Sequence, residues 1–261
     1  MSAVFSREGT AMNDVLTPVS RPVVRSTGPS LPTLVRIEMR KSLSTRSGKA
    51  LAAAAVVLPP AAMAVATLGG GAIGAAAGPI AAMGIFAALL LLALGVLSTA
   101  GEWTHRTVQT TFLLVPHRGR VLVSKGLAVG LLGAVLAALS TALSTAVLAL
   151  ALGSALTWGG VLLAMETVVV GGAAFAVIGA GVGAAVANVP AALTSLYLVL
   201  LGVMPVVSTV KPQIAADIDP NGAILSLAQG HDQPRAAAIL VGWVVVSTVA
   251  GTLLTRRRQV A

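Results

Sequence analysis

The chain has 261 residues, of which 56% are hydrophobic and 10% are charged, whereas soluble globular domains carry about 25% charged residues. This composition excludes a water-soluble surface, and the absence of cysteine excludes disulfides, thiolate metal sites and cysteine nucleophiles. The net charge of +9 is typical of basic loops that face anionic lipid, and we do not attribute it to nucleic-acid binding.

The chain begins with a polar segment, residues 1–33, which we interpret as a flexible cytoplasmic tail because it lacks the apolar stretch of a cleaved signal peptide. In residues 34–49, Leu34, Ile37 and Leu43 can share one side of a helix, with the basic side chains displaced from it. This pattern favours an amphipathic interfacial helix in the headgroup layer. The alternative is a solvated basic flank of the first span.

Six apolar runs follow, and each reaches the length of about 20 residues that a helix needs to cross a bilayer. We therefore predict an all-α polytopic membrane protein with six transmembrane helices. The predicted spans cover residues 50–68, 79–100, 126–152, 161–187, 191–210 and 236–255. Pro59 and Pro60 lie near the middle of the first span and predict a kink, because proline removes a backbone donor and clashes with the preceding turn.

Two polar intervals, residues 101–125 and 211–235, separate these runs. Of the 17 lysines and arginines, only Lys211 and Arg235 lie in the second interval; the others precede the first span, lie in the first interval or follow the last span. Basic residues accumulate on the cytoplasmic side of a membrane. We therefore predict that both termini and residues 101–125 are cytoplasmic, that 211–235 is an extracellular loop, and that 256–261 is a basic cytoplasmic tail.

Motifs that carry chemistry are missing from the sequence. It contains no G-x-x-x-x-G-K-[ST] phosphate loop, no H-E-x-x-H zinc motif and no Ser/His/Asp grouping on one membrane face. We accordingly expect no enzymatic activity, no metal site and no cofactor in this chain. His105 and His117, which lie in the first polar interval, are interpreted as surface histidines.

Glu166 lies about two turns into the fourth predicted span. An acid inside a span is a candidate for a cation-binding or proton-linked site, although Glu166 can also reach the outer headgroups or bond a neighbouring helix. The spans also contain G-x-x-x-G pairs, at residues 126–130 and 179–183. Small residues at this spacing favour close packing within one bundle, with a dimer interface as the alternative.

The first polar interval contains the pattern E-x-x-x-R-T…P-x-R…K, formed by Glu102, Arg106, Thr107, Pro116, Arg118 and Lys125. A basic I-E-M-R-K segment at residues 37–41 precedes the six spans, and three arginines at residues 256–258 close the chain. This order of parts resembles the permease subunits of type-2 ABC exporters, especially the short actinobacterial kind, from about Leu34 to the C-terminus.

In that family, the segment between spans two and three is a coupling helix that docks on a separate ATP-hydrolysing subunit. Two permeases pair with two ATPases, and ATP and Mg are bound by the ATPase. The resemblance implies that residues 101–125 are a cytoplasmic coupling segment, with Glu102, Arg106 and Thr107 at the ATPase contact. Further candidates for the cytoplasmic interface are Glu38, Arg40, Lys41, Arg118 and Lys125.

We therefore expect a plasma-membrane permease, paired with a second copy or a related permease, that exports an amphipathic or hydrophobic drug, lipid or peptide by alternating access. The substrate class follows from the scarcity of polar groups in the spans. The alternatives are a proton-coupled secondary transporter that uses Glu166 and a membrane scaffold or immunity protein without transport. A secondary transporter is expected to contain inverted repeats with interrupted helices in both halves. The proline pair in the first span has no matching break in the other half of the sequence.

Overall fold

The computed structural model describes residues 30–69, 74–104 and 118–258, and the side chains of residues 118–121 are excluded from that description. Most of the predicted N-terminal tail lies outside these ranges, as do residues 105–117 of the predicted coupling segment.

The described residues fold into α-helices joined by short turns. The helices are α1 (Leu31–Ser42), α2 (Arg46–Leu68), α3 (Ala77–Thr104), α4 (Arg118–Leu152), α5 (Val161–Val186), α6 (Val189–Tyr197), α7 (Met204–Val210), α8 (Pro212–Ile218), α9 (Pro220–Ala228) and α10 (Gln233–Arg257). A π-helical segment, Leu198–Val203, joins α6 to α7, so that Val189–Val210 is one continuous span. Among the described residues, six helices are long and apolar enough to cross a membrane, which confirms the prediction of an all-α polytopic membrane protein.

Five of the six spanning helices extend beyond the predicted apolar runs, and the fourth, Val161–Val186, agrees with its predicted run to within one residue. The largest difference is at the third span, which we predicted to begin at residue 126, whereas α4 begins at Arg118. Hydropathy marks only the apolar part of a helix, while arginine, leucine and lysine allow helical hydrogen bonding to continue into the flank. Lys125 consequently lies inside a helix rather than in the polar connection.

A tight turn between α1 and α2 returns the chain to the bundle. The Thr45 side chain accepts a hydrogen bond of 3.0 Å from the Gly48 backbone N–H and so caps the start of α2. A Cβ atom on residue 48 would lie 1.9 Å from the Ser42 carbonyl oxygen, so this turn requires glycine. The turn holds α1 against α4 and the end of α3.

Helices α3 and α5 form the centre of the bundle and are the most buried of the six spans. Their backbones are in direct contact: a Cβ on Gly95 would lie 2.0 Å from the Ala176 carbonyl oxygen, and a Cβ on Gly179 would lie 2.0 Å from that of Leu92. The second G-x-x-x-G pair therefore packs inside one bundle. The first pair is looser, since a Cβ on Gly126 would meet no described atom within 4 Å.

The proline pair in α2 does not interrupt the helix. Pro59 and Pro60 are both buried, and helical structure continues on either side of them. Because proline has no backbone N–H, the carbonyl groups of Ala55 and Val56 lack their usual intrahelical donors. The bend that we predicted here stays a prediction.

The second polar interval, predicted as a loop, contains the short helices α8 and α9. Ile224 of α9 is fully buried and packs over Gly171 of α5. The Trp243 indole N–H donates to the carbonyl of Ile218 at 2.8 Å, which fixes α8 against α10. The surrounding Pro, Gly and Asp residues indicate a loop in the sequence, and only tertiary burial of the apolar residues between them makes the helices stable.

Replacement of Gly179 by alanine should destabilise the bundle, because the added methyl group overlaps the Leu92 carbonyl. Overpacking of this kind typically costs about 1–3 kcal/mol. The matched control is Gly126→Ala, which adds the same methyl group where no described atom lies within 4 Å. Thermal denaturation in detergent should show a lower midpoint for Gly179→Ala alone; equal midpoints for the two variants would contradict the α3–α5 packing.

Candidate functional site

Four charged side chains from three helices meet at one end of the bundle: Glu38 and Lys41 of α1, Glu102 of α3 and Lys125 of α4. We refer to these four residues as the charged cluster. Glu38 and Lys125 are 87 positions apart in the sequence, so the fold alone brings them together.

Helical periodicity turns these side chains inward. Glu38 lies one turn after Leu34, and both are buried on the side of α1 that faces α4. Lys125 lies one turn before the fully buried Val129 of α4. Glu102 occupies the last part of α3, just before the polar connection to α4. Each helix thus extends its buried face by one charged residue.

The ion pairs of the charged cluster form a closed ring with alternating signs. The Lys125 ammonium lies 2.5 Å from Glu38 Oε2 and 2.9 Å from Glu102 Oε1. The Lys41 ammonium lies 2.8 Å from Glu38 Oε1 and 3.4 Å from Glu102 Oε1. Lys125 also donates to the backbone carbonyl of Ser98 at 3.0 Å, so all three of its N–H donors have acceptors.

The four members differ in burial. The side chains of Glu38 and Lys125 are each 7% exposed, Glu102 is 18% exposed and Lys41 is 42% exposed. An unpaired buried ion costs several kcal/mol, whereas an exposed pair contributes roughly 0–1 kcal/mol. The stability of this end of the bundle therefore depends mainly on the contact of Lys125 with the two carboxylates, and Lys41 closes the ring from the surface.

The surroundings of α1 shift the pKa values of two of its side chains, Glu38 and Lys41. Burial by itself would raise the pKa of Glu38, but the positive charge of Lys125 and the hydrogen bonds from Lys125 and Lys41 outweigh it and hold that pKa below its ordinary value of 4.5. Burial would lower the pKa of Lys41, but hydrogen bonding to Glu38 and the negative charge of Glu102 raise it above the ordinary value of 10.5. Both shifts favour the ionised ring at neutral pH.

The predicted coupling and interface residues fall into different environments. Glu102 and Lys125 bond to one another, and Glu38 and Lys41 complete the ring. Arg40 is exposed on α1. Arg106 and Thr107 lie outside the described residues, and Arg118 begins α4 with its side chain undescribed.

The packed side of α1 carries an acid beside its apolar residues. We predicted that Leu34, Ile37 and Leu43 form an apolar side that lies in the headgroup layer, and that placement stays a prediction; within the bundle, Leu34 and Glu38 are buried and Ile37 is 42% exposed. Periodicity cannot identify a buried acid without knowledge of the lysine that neutralises it. A visible signal was the Glu38–Lys41 spacing of three residues, which brings the two side chains together on one face of a helix.

Glu166 lies away from the charged cluster, in the second turn of α5, and is exposed. Within the part of the chain that the structure describes, Glu166 makes no ion pair. The predicted roles of Glu166, as a cation-binding or proton-linked group or as an acid that reaches the headgroups, stay predictions.

Replacement of Lys125 by methionine leaves the buried Glu38 carboxylate and the partly buried Glu102 carboxylate with the exposed Lys41 as the remaining cation of the ring. Loss of one partner of a buried ion pair typically costs about 3–5 kcal/mol, so we expect a large loss of thermal stability in detergent. Lys49→Met is the matched control because Lys49 is exposed on the neighbouring α2. The double change Glu38→Leu with Lys125→Met should be less harmful than Lys125→Met alone; equal stability of the two lysine variants would refute the buried ring.

The lowered pKa of Glu38 predicts a loss of stability in acid. The ordinary pKa of this carboxyl group is 4.5, and above that pH the ionised Glu38 contributes its full stabilisation. The contribution is lost as the pH falls through the lower pKa that Glu38 has in the folded protein. Glu38→Gln removes this titration. Unfolding midpoints measured from pH 7 down to the acid limit of the detergent system should therefore fall more steeply for the original chain, and parallel curves would argue against the assignment.

Comparison with known proteins does not assign the chain to a family. No family model matches the sequence, and no curated protein matches it either. The role of the charged cluster is accordingly inferred from the geometry of its own residues.

Proposed function

We propose that this chain is the membrane-spanning permease subunit of an ABC-type exporter, with both termini in the cytoplasm and a separate ATPase docked at its charged end. The observation that carries this proposal is the closed ring that joins α1, α3 and α4 beside the connection between α3 and α4. In this proposal the coupling segment, residues 101–125, consists of this connection together with the end of α3 and the first turns of α4.

The ring gives the coupling segment a mechanical link to the bundle. Glu102 lies near the end of α3 and Lys125 lies in the first turns of α4, so the segment is held at both of its ends by one ion pair of 2.9 Å. Glu38 extends the same link to α1. A displacement imposed on the segment by a docked ATPase would therefore move three helices together, as expected of a rigid-body transport step.

The interior of the bundle supports an uncharged or amphipathic substrate. Apart from Lys125, the buried polar side chains of the described spans are hydroxyls, such as Ser140, Ser144 and Thr167. Hydroxyl groups can hydrogen-bond a substrate but cannot neutralise an ion. A drug, lipid or peptide with a large apolar surface fits this lining, with alternating access between paired permeases as the mechanism.

Orientation follows from the distribution of basic residues. The charged end carries exposed arginines of α1 and α10, such as Arg36, Arg40 and Arg257, whereas Arg235 at the start of α10 is paired with Asp217. An excess of basic residues favours the cytoplasmic side. The proposed location is the plasma membrane, with the ATPase and its ATP and Mg on the inner side.

Affinity purification of the tagged chain in mild detergent should recover an ATPase with a phosphate-loop motif in a stoichiometric amount. Arg106→Ala with Thr107→Ala should abolish its recovery, because these residues lie in the coupling segment and outside the ring. Arg36→Ala, which removes an exposed arginine of α1, is the matched control. Recovery of the ATPase with the double variant would exclude this segment as the docking site, and recovery of the chain alone would count against the exporter.

Transport in proteoliposomes separates the exporter from a proton-coupled carrier. Glu166→Gln should leave ATP-driven transport unchanged, since Glu166 is exposed and away from the ring. Transport driven by a proton gradient without ATP, and lost in Glu166→Gln, would favour the carrier instead.

A further inference from the structure

The residue that follows α10, Arg258, bonds through its side chain back to α5. The Arg258 guanidinium donates to the backbone carbonyl of Ala184 at 2.7 Å and to that of Ala185. These carbonyls belong to the last turn of α5, where the final four carbonyl groups of a helix lack intrahelical donors. A cation at a helix C-terminus also interacts favourably with the helix dipole. Arg258 therefore caps α5.

The same guanidinium reaches α3. It lies over the Trp103 ring, 5.1 Å from the ring centroid, which is within the range of a cation–π interaction. Trp103 directly follows Glu102 in the last turn of α3. Since consecutive helical residues point about 100° apart, Arg258 holds α3 from a different side than the charged cluster does.

The neighbouring arginines do not share this environment. Arg256 and Arg257 are exposed, whereas Arg258 is half-buried. Three consecutive residues of equal charge thus differ sharply in their contacts. The contacts of Arg258 also need the planar guanidinium, which can donate to two carbonyl groups while one face rests on an aromatic ring; a lysine ammonium cannot do both.

We propose that Arg258 is a positioning residue that sets the orientation of the last turn of α3, residues 101–104, relative to the end of α5. Lys125 and Arg258 then form a clamp on the end of α3, because Lys125 binds Glu102 on one side and Arg258 covers Trp103 on the other. Only the consequence for an ATPase contact rests on the proposed function, since the clamp itself is a property of this chain.

The test uses Trp103 as its own reporter. In the full chain with Trp158→Phe and Trp243→Phe, Trp103 is the only tryptophan. Reconstituted in nanodiscs, Arg258→Ala should increase the acrylamide quenching of Trp103 by about twofold or more and shift its emission, because the cation that covers the ring is removed. Arg256→Ala and Arg257→Ala are controls of equal charge and should leave both signals unchanged. Arg258→Lys should resemble Arg258→Ala.

General destabilisation would expose every tryptophan, so the same substitution is measured with Trp158 or Trp243 as the single reporter. These side chains lie in other parts of the fold, where their indole N–H groups bond the carbonyls of Gly153 and Ile218. Arg258→Ala should leave their quenching unchanged. A parallel increase at all three tryptophans, or no change at Trp103, would overturn the positioning role.

The outcome is independent of the proposed transporter. A local change at Trp103 in a chain that recovers no ATPase would support the clamp and count against the exporter. If an ATPase is recovered, Arg258→Ala should lower the amount transported per ATP hydrolysed without abolishing ATPase binding, whereas Arg257→Ala should not. An unchanged transport ratio would show that the clamp does not act in coupling.

Discussion

Burial of the Lys125 ammonium against two carboxylates is the interaction on which the charged end of the molecule depends. An ammonium removed from water is tolerated only where its charge is neutralised and its donors are satisfied. Here the acceptors come from α1 and α3, so α4 cannot keep Lys125 buried unless both helices stay in place. The ring therefore stabilises one arrangement of three helices and resists the displacement of any one of them.

Contacts at the centre of the bundle link α5 to the three helices that the ring holds together. α3 and α5 are in backbone contact at Gly95 and Gly179, with no flexible side chains at these points to absorb a relative shift. A movement of the end of α3 is consequently expected to reach α5 as well. The two contacts at the end of α3, made by Glu102 and Trp103, thus belong to a helix whose backbone is in direct contact with α5.

The two ends of the molecule hold the chain by different means. At the charged end, side-chain cations neutralise carboxylates or cap a helix, as Lys125 and Arg258 do. Toward the opposite end the cation–carboxylate contact of α8, between Arg235 and Asp217, is exposed, and α8 and α9 are held as well by indole and carboxylate contacts with backbone groups and by burial of Ile224. A polar interval between two spans can therefore contain ordered helices when a few of its apolar residues find a place in the core.

The sequence alone determined the class of the protein and its six spans, because a bilayer demands long apolar helices whatever their packing. It also indicated Glu102, Lys125, Glu38 and Lys41 as residues of interest, but as separate charges on a surface. Only the tertiary structure decided that they form one ring, in which Glu38 and Lys125 are buried, and that Arg258 differs from its neighbouring arginines. Periodicity and charge counts describe one segment at a time. The burial of an ion depends on partners that other helices supply from distant parts of the chain.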